Sequence, residues 1–323
     1  MAVTRDDVAR RAGVSPAVVS YVLNGGPRPV SPGLRQRVHA AIEELGYRRD
    51  GVARYLRTGK THSLALVVPD ISLPYFGVIT QVLCELSIAH GYQMLTASTS
   101  WDPMQERAQL VGLAERRVDG IILMSVDPLQ SFDEVSNLGI PVVLIDRPEV
   151  AVLGAQTATQ HLLEHGRREI AYVGGPSGYV SSDRRVQGWR AALEQSDIEP
   201  REAMLGREPF APPGMPGYAL ARTLLSRMDR PNGVVVESDP QAMGVLHACR
   251  DLSIRVPEDL AVVTLGGTRL AEFALPTLTS VEQPMEAIAG EALAAVLSAE
   301  AGAIRRLDNQ NFAIVLRESC GPH

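Results

Sequence analysis

No stretch of the 323 residues approaches the roughly 18 consecutive apolar residues that a membrane-spanning helix requires. The amino-terminal MAVTRDDVARR has no apolar core ahead of a cleavage site, so a secretory signal is not expected and a cytoplasmic protein is. Cysteine is scarce. Cys84, Cys249 and Cys320 lie far apart without a CxxC pair, which excludes a disulfide framework and a zinc ribbon, and they read as inert packing residues in a reducing compartment. The histidines show no HExxH. His161 and His165 are four apart but have no third ligand, so they read as a solvated helix face, and no metal is expected. The run GGPSG from Gly174 lacks the Gly-Lys-Ser/Thr ending of a phosphate loop. Neither a cofactor nor catalysis is expected.

The overall charge of −6 argues against a nucleic-acid partner until its distribution is considered. Residues 1–60 carry eleven basic and five acidic groups, a net of +6, leaving 20 basic and 32 acidic groups, a net of −12, for the remainder. A basic head on an acidic body implies that phosphates meet the head alone. The length suits two or three domains, each with its own core.

The head is organised around Gly13 to Gly25, GVSPAVVSYVLNG. Gly13 closes a first helix; Ser15 has the oxygen an N-cap needs, and Pro16 fits the first helical position, where a missing N–H costs nothing. Val18, Val19, Val22 and Leu23 recur at helical spacing and predict one buried stripe. Pro16, Ala17, Ser20, Tyr21 and Asn24 then face outward, as a helix entering a major groove requires. An ordinary helical hairpin would share this pattern, and the neighbouring segments favour the DNA-reading version. Thr4 to Asp7 reads as a capping box with Asp in place of Glu, and Val8 and Ala12 face inward. Ser31-Pro32 repeats the cap-and-proline device for a third helix lined by Leu34, Val38, Ala41, Ile42 and Leu45 and ended by Gly46. The following DGVARYLR is too short to be helical alone in water. It is either a flexible linker or a segment that folds against a second copy and DNA, with Ala53 and Leu56 as its apolar groups. Leucine serves elsewhere as a wedge between base steps.

From Ser63 the texture changes. SLALVVPD, YQMLTAST, DGIILMSV and PVVLID read as buried parallel strands, joined by helices over Tyr75–Gly91 and Gln105–Arg116. EIAYVGG, NGVVVESD and LAVVTLGG form a second set, with helices over Ala155–His165, Arg184–Gln195, Gly217–Met228 and Pro240–Asp251. Two successive sets predict two doubly wound lobes with a ligand cleft at the carboxyl ends of their strands.

Residues 3–68 resemble the head and hinge of the lactose-repressor (LacI/GalR) family of bacterial transcription regulators, through VTRDDVARRAGVSPAVVSYVLNG, VSPGLRQRVHAAIEELGY and VARYLRTGKTHSLALVVPD in order. GPSGYVSSDRRVQGW, TSVEQP and the terminal VLRES extend the resemblance over essentially the whole chain. It implies an all-α helix–turn–helix head (1–48), a hinge (49–61) and an α/β periplasmic-binding-protein-like body of two doubly wound lobes (62–323). The first lobe would take about 62–147 plus 282–305, and the second about 148–281 plus 306–323.

By the same resemblance Pro16, Ala17 and Tyr21 read bases, Ser15, Ser20 and Asn24 hold phosphates, Leu56 is the wedge, and Thr4 and Ala53 join the DNA-facing set. Tyr75, Phe76, Ser181, Arg185 and Asp239 match effector-binding positions, with Trp101 and Phe210 as further candidates. The implied function is a homodimeric regulator, expected as a repressor, that binds a pseudo-palindromic double-stranded operator and answers to a small-molecule effector. Two departures bear on the effector. Val150-Ala151 stand where the family has an Asp-Asn pair after a longer loop, and Gly266 stands where it has a sugar-binding carboxylate. These leave open a cleft for something less hydroxylated than a sugar, or a degenerate cleft with no effector; a free-standing solute-binding protein is disfavoured by the basic head.

Overall fold

A computed structural model describes residues 3–24, 29–48, 55, 58–145, 148–307 and 311–322. The chain divides into two compact units, Met1–Thr61 and His62–His323.

The first unit holds α1 (Arg5–Ala12), α2 (Pro16–Asn24) and α3 (Pro32–Leu45). Its helix ends follow from a few side chains. Thr4 Oγ1 accepts from the Asp7 N–H at 3.3 Å while the Asp7 carboxylate accepts from the Thr4 N–H at 3.0 Å, closing the expected capping box with a one-carbon-shorter acid. Gly13 at φ 66° and Gly46 at φ 62° end α1 and α3 in the left-handed conformation that costs other residues most. Ser15 Oγ accepts from the Val18 N–H at 3.4 Å. Ser31 differs from expectation: it occupies the N-cap position of α3, but its hydroxyl makes no cap hydrogen bond, so Pro32 alone sets the start. Val8, Ala9, Ala12, Val19, Val22, Val38 and Ala41 form the buried centre, with Val18, Leu23, Ile42 and Leu45 packed around it.

The second unit opens with β1 (Ser63–Val68), α4 (Pro74–Ala89), β2 (Gln93–Ser98), α5 (Pro103–Glu115), β3 (Gly120–Leu123), α6 (Asp133–Asn137) and β4 (Val142–Leu144). It continues through α7 (Pro148–Glu164), β5 (Ile170–Gly174), α8 (Val180–Glu194), β6 (Leu205–Arg207), α9 (Tyr218–Leu225), β7 (Gly233–Val236), α10 (Asp239–Asp251), β8 (Ala261–Gly266), α11 (Arg269–Phe273) and β9 (Thr279–Glu282). It closes with α12 (Met285–Leu297), β10 (Ile304–Arg306) and β11 (Ala313–Val315).

The strands make two sheets, ordered β10-β4-β3-β1-β2 and β11-β9-β8-β7-β5-β6, parallel throughout except for the antiparallel β11–β9 pair. Alternation along β1 divides the first lobe's core: Leu64, Leu66 and Val68 meet α4 and α12, while Ala65 and Val67 meet Leu110, Leu113 and Phe132 on the other face. Trp189 and Tyr172, both fully buried, centre the second lobe. The chain passes between lobes three times, after β4, between β9 and α12, and between Leu307 and β11.

Several elements differ from the sequence expectation. β2 is an edge strand with Leu95 and Thr96 exposed, not a buried one. α7 begins at Pro148 rather than at Ala155, so Val150 and Ala151 lie in its first turn and the shortened loop is absorbed into helix. α8 begins at Val180 rather than Arg184, and α9 stops at Leu225. β6, β9 and β10 carry no apolar run: β9 buries Thr279 and Ser280, and β10 exposes Ile304, Arg305 and Arg306. His161 is buried, with Nε2 3.3 Å from Cys320 Sγ, and is not on a solvated face. Cys249 is buried as expected, and burial pushes its thiol up to about 12. Among the described residues no helix is long and apolar enough to cross a membrane, and no group of three or more acidic, histidine or cysteine side chains is placed to hold a metal ion.

Candidate functional site

Two surfaces follow from this framework. On the head, packing Val19 and Val22 into the core leaves Ser15, Pro16 and Ala17 exposed at the start of α2, with Ser20 and Tyr21 half-buried one turn on. Pro16 and Ala17 offer no side-chain donor, so they can read a base only by apolar contact, as with a thymine methyl. Thr4 Oγ1 also donates to Asp7 Oδ2 at 2.6 Å, and this bond, with the others Thr4 makes, holds the Asp7 carboxyl below its usual range. The Thr4 hydroxyl proton is therefore committed, and a phosphate would reach Thr4 only at the expense of the cap. Arg10 and Arg11 stay exposed while pairing with Asp7 and Glu44. Ala53, Leu56 and the side chain of Asn24 lie outside the described residues.

In the body, the carboxyl ends of both sets of strands converge on a cavity of about 180 Å³. The first lobe contributes Tyr75, Phe76, Trp101, Ser125 and Ile145, and the second contributes Ser181, Arg185, Glu208, Phe210, Glu237 and Asp239. This is the switch-point placement expected of a doubly wound fold.

Aromatic rings span the cleft. Trp101 of the first lobe stacks on Phe210 of the second, with centroids 3.5 Å apart and planes 13° from parallel. Tyr179 meets both rings edge-on and donates its hydroxyl to the Trp101 carbonyl at 3.1 Å. Phe76 meets Trp101 edge-on at 5.8 Å, and Tyr75 donates to Gln283 Oε1 at 3.0 Å. Ser100 and Trp101 project this ring from a turn with φ of 52° and 61°, a left-handed conformation that costs an L-residue roughly 1–2 kcal/mol. The Trp101 indole N–H is buried without an acceptor among the described residues.

Charge is concentrated on the second lobe's wall. Glu237, at the end of β7, accepts from Tyr172 Oη at 3.0 Å, the Gly175 N–H at 2.9 Å, Ser182 Oγ at 2.8 Å and Arg185 Nη1 at 2.9 Å. Four donors saturate a carboxylate, so Glu237 fixes the arginine instead of meeting a ligand directly. Burial, with Glu237 alongside, holds the Tyr172 phenol well above its ordinary range. Asp239, the first residue of α10, is 1% exposed; Oδ1 accepts from Thr264 Oγ1 at 3.0 Å and Oδ2 from the Thr268 N–H at 2.7 Å. A Cβ on Gly266 would stand 2.5 Å from Asp239 Oδ1, so Asp239 occupies the volume that a side chain at 266 would need. Gly266 therefore leaves the wall anionic, because the acid comes from the neighbouring strand end.

All five effector residues expected from sequence line this one cavity, and so do Trp101 and Phe210. Ser181 lies on the wall while its neighbour Ser182 makes the bond to Glu237. Phe76 also belongs to the first lobe's core. Val150 and Ala151 line the cleft as apolar groups, in keeping with the missing Asp-Asn pair. Sequence reasoning missed Glu208 and Glu237. The second ends a recognised strand, where such folds place ligand contacts, so that rule alone could have found it. Glu208 follows β6, which has no apolar signal.

A three-helix head with an exposed second helix, on a bilobed body with a cleft at its strand ends, is the build of a DNA-binding regulator with a solute-binding core. Residues 4–50 match the family model described as bacterial regulatory proteins, lacI family, and residues 159–320 match that of a periplasmic binding protein-like domain. The chain is 32% identical over 298 residues to the transcriptional repressor PurR of Edwardsiella ictaluri, covering 88% of this chain and 86% of that protein. It is 32% identical over 305 residues to catabolite control protein A of Priestia megaterium, covering 91% of each. Among solved structures, the complex of the regulator CelR with cellobiose aligns with a TM-score of 0.68 at 28% identity, over 98% of this chain and 99% of that one. A lac repressor dimer bound to operator and the anti-inducer ONPF shares the fold over the full length of both chains, with a TM-score of 0.82 at 23% identity. The chain belongs to the lacI family of bacterial regulatory proteins.

Proposed function

We propose that the chain is a dimeric repressor that reads a pseudo-palindromic operator and is controlled by a small molecule held between its lobes. The observation that carries this reading is the exposed start of α2, Ser15 to Ala17, within the first 60 residues, whose net charge is +6. Pro16, Ala17 and Tyr21 read base edges, Ser15, Ser20 and Asn24 hold phosphates, Leu56 wedges the central minor groove, and Ala53 belongs to the DNA-facing set. Thr4 supports the head through its cap. Exposed apolar side chains such as Ile88, Leu95 and Met104 in the first lobe and Phe273 and Leu275 in the second are available to a second copy. Tyr75, Phe76, Ser181, Arg185 and Asp239 face the effector, and no step of catalysis is assigned to them. The effector acts by binding one closure state of the lobes better than the other.

The test is retention of a random duplex in a gel at rising salt, followed by selection of bound sites from a random pool. A regulator retains random duplex weakly, with affinity falling steeply as counterions compete, and enriches a twofold-symmetric site. No retention at low salt would remove the reading.

A further inference from the structure

The hydrogen-bonding capacity left over in the cleft is one-sided. Glu237 is saturated, and Arg185 is engaged by it at 2.9 Å. Glu208, 8% exposed, uses Oε1 to accept from the Gly217 N–H at 2.7 Å and from Gln241 Nε2 at 2.8 Å, while its Oε2 meets no donor among the described residues. Each Asp239 oxygen accepts one hydrogen bond, at 3.0 and 2.7 Å, and retains capacity for another. Among the described lining residues, three carboxylates thus face one guanidinium. Tyr75, Phe76 and Trp101 of the first lobe line the same cavity, and Phe210, on the carboxylates' own lobe, stacks on Trp101.

Resting on the effector reading above, we propose that the ligand of this cleft is an organic cation, an amine or amidine carried on a flat apolar group. Aromatic faces attract a cation electrostatically and accept a flat ring by stacking. The charged nitrogen brings the donors that Glu208 Oε2 and Asp239 lack. A neutral polyol also supplies donors, but lobes closing on it would desolvate the excess carboxylates with no compensating charge, whereas a cation offsets that cost. A volume of about 180 Å³ is of the size that takes a single ring with a short substituent.

The test titrates the full-length protein by calorimetry with benzylamine, benzamidine, benzyl alcohol, benzoate, glucose and ribose. The fluorescence of a Trp189→Phe variant, which leaves Trp101 as the remaining tryptophan, reports cleft occupancy. The expected result is that benzylamine or benzamidine binds at least about tenfold more tightly than benzyl alcohol and quenches Trp101, and that benzoate does not bind. In Glu208→Gln, which keeps an acceptor for the Gly217 N–H, the preference for benzylamine over benzyl alcohol falls below about threefold. Equal or tighter binding of benzyl alcohol or either sugar, silence from both cations, or an undiminished preference in Glu208→Gln would each overturn the proposal; the first two are read on the unmutated protein. Random-duplex retention on the same preparation separates the failures. DNA retained without cation preference sinks the ligand chemistry alone, and lost retention sinks the regulator reading whatever benzylamine does.

Discussion

Glu106 lies beneath the first lobe's side of the cleft, fully buried on α5. It accepts from Ser125 Oγ at 2.6 Å, from the Val126 N–H at 2.7 Å and from Gln130 Nε2, and so holds the Ser125–Gln130 segment, three residues of which line the cavity. Burial outweighs these bonds and lifts its carboxyl above the ordinary 4.5. Below 4.5 the group is protonated whether the chain is folded or not; above the raised value it is ionised in both states, and the fold carries a desolvated charge. Its contribution is therefore complete at the acid end and is lost as pH rises through the raised value. Urea denaturation should show the lead of the unmutated protein over Glu106→Gln shrinking as the pH rises above 4.5. A lead that is flat or widens would count against the raised carboxyl.

The head shows how little an element needs when its ends are well made. Among the described residues, seven buried valine and alanine side chains form its centre, a small core for three helices. The capping box at Thr4 decides where α1 starts, and the left-handed glycines 13 and 46 decide where α1 and α3 stop. Removing two methyl groups from the fully buried Val19 should cost about 2 kcal/mol, a large share of so small a unit's stability. Val19→Ala is expected to melt the head near room temperature and abolish DNA retention, while the main calorimetric transition of residues 62–323 stays in place. A shift of that transition would mean the two units do not melt independently.

At the scale of the body, the lobes meet through the Trp101–Phe210 stack and the Tyr179–Trp101 bond. A stacked pair contributes roughly 0.5–1.5 kcal/mol beyond its buried area, and about 1 kcal/mol moves a two-state ratio some fivefold. Against this stand the left-handed Trp101 backbone and its indole N–H, a buried donor with no acceptor among the described residues, which costs about 1–3 kcal/mol. Closure without ligand is thus finely balanced, which is the condition under which a ligand can bias it. Phe210→Ala should open the lobes, raising the radius of gyration of the unliganded protein in small-angle scattering. An unchanged radius would remove the stack as a latch.

Periodicity and turn chemistry were enough to place the three head helices, the central strands of both sheets and the basic head, because local spacing and composition encode each of them. The five candidate effector residues, all of which line the cavity, could be named from motif resemblance, since they sit at strand and helix ends that the pattern marks. Three things lay beyond the linear chain. The short strands β6, β9 and β10 are held by neighbours and not by apolar runs: in β9 the Thr279 N–H donates to Ser319 Oγ and the Thr279 hydroxyl pairs with Cys320 Sγ, some forty residues away. Asp239 fills the volume that a side chain at Gly266 would need, and only packing shows that the two positions share it. The saturation of Glu237, the spare oxygen of Glu208 and the meeting of Trp101 with Phe210 each join residues from different strand ends, so the electrostatic character of the cleft was decided by tertiary structure alone.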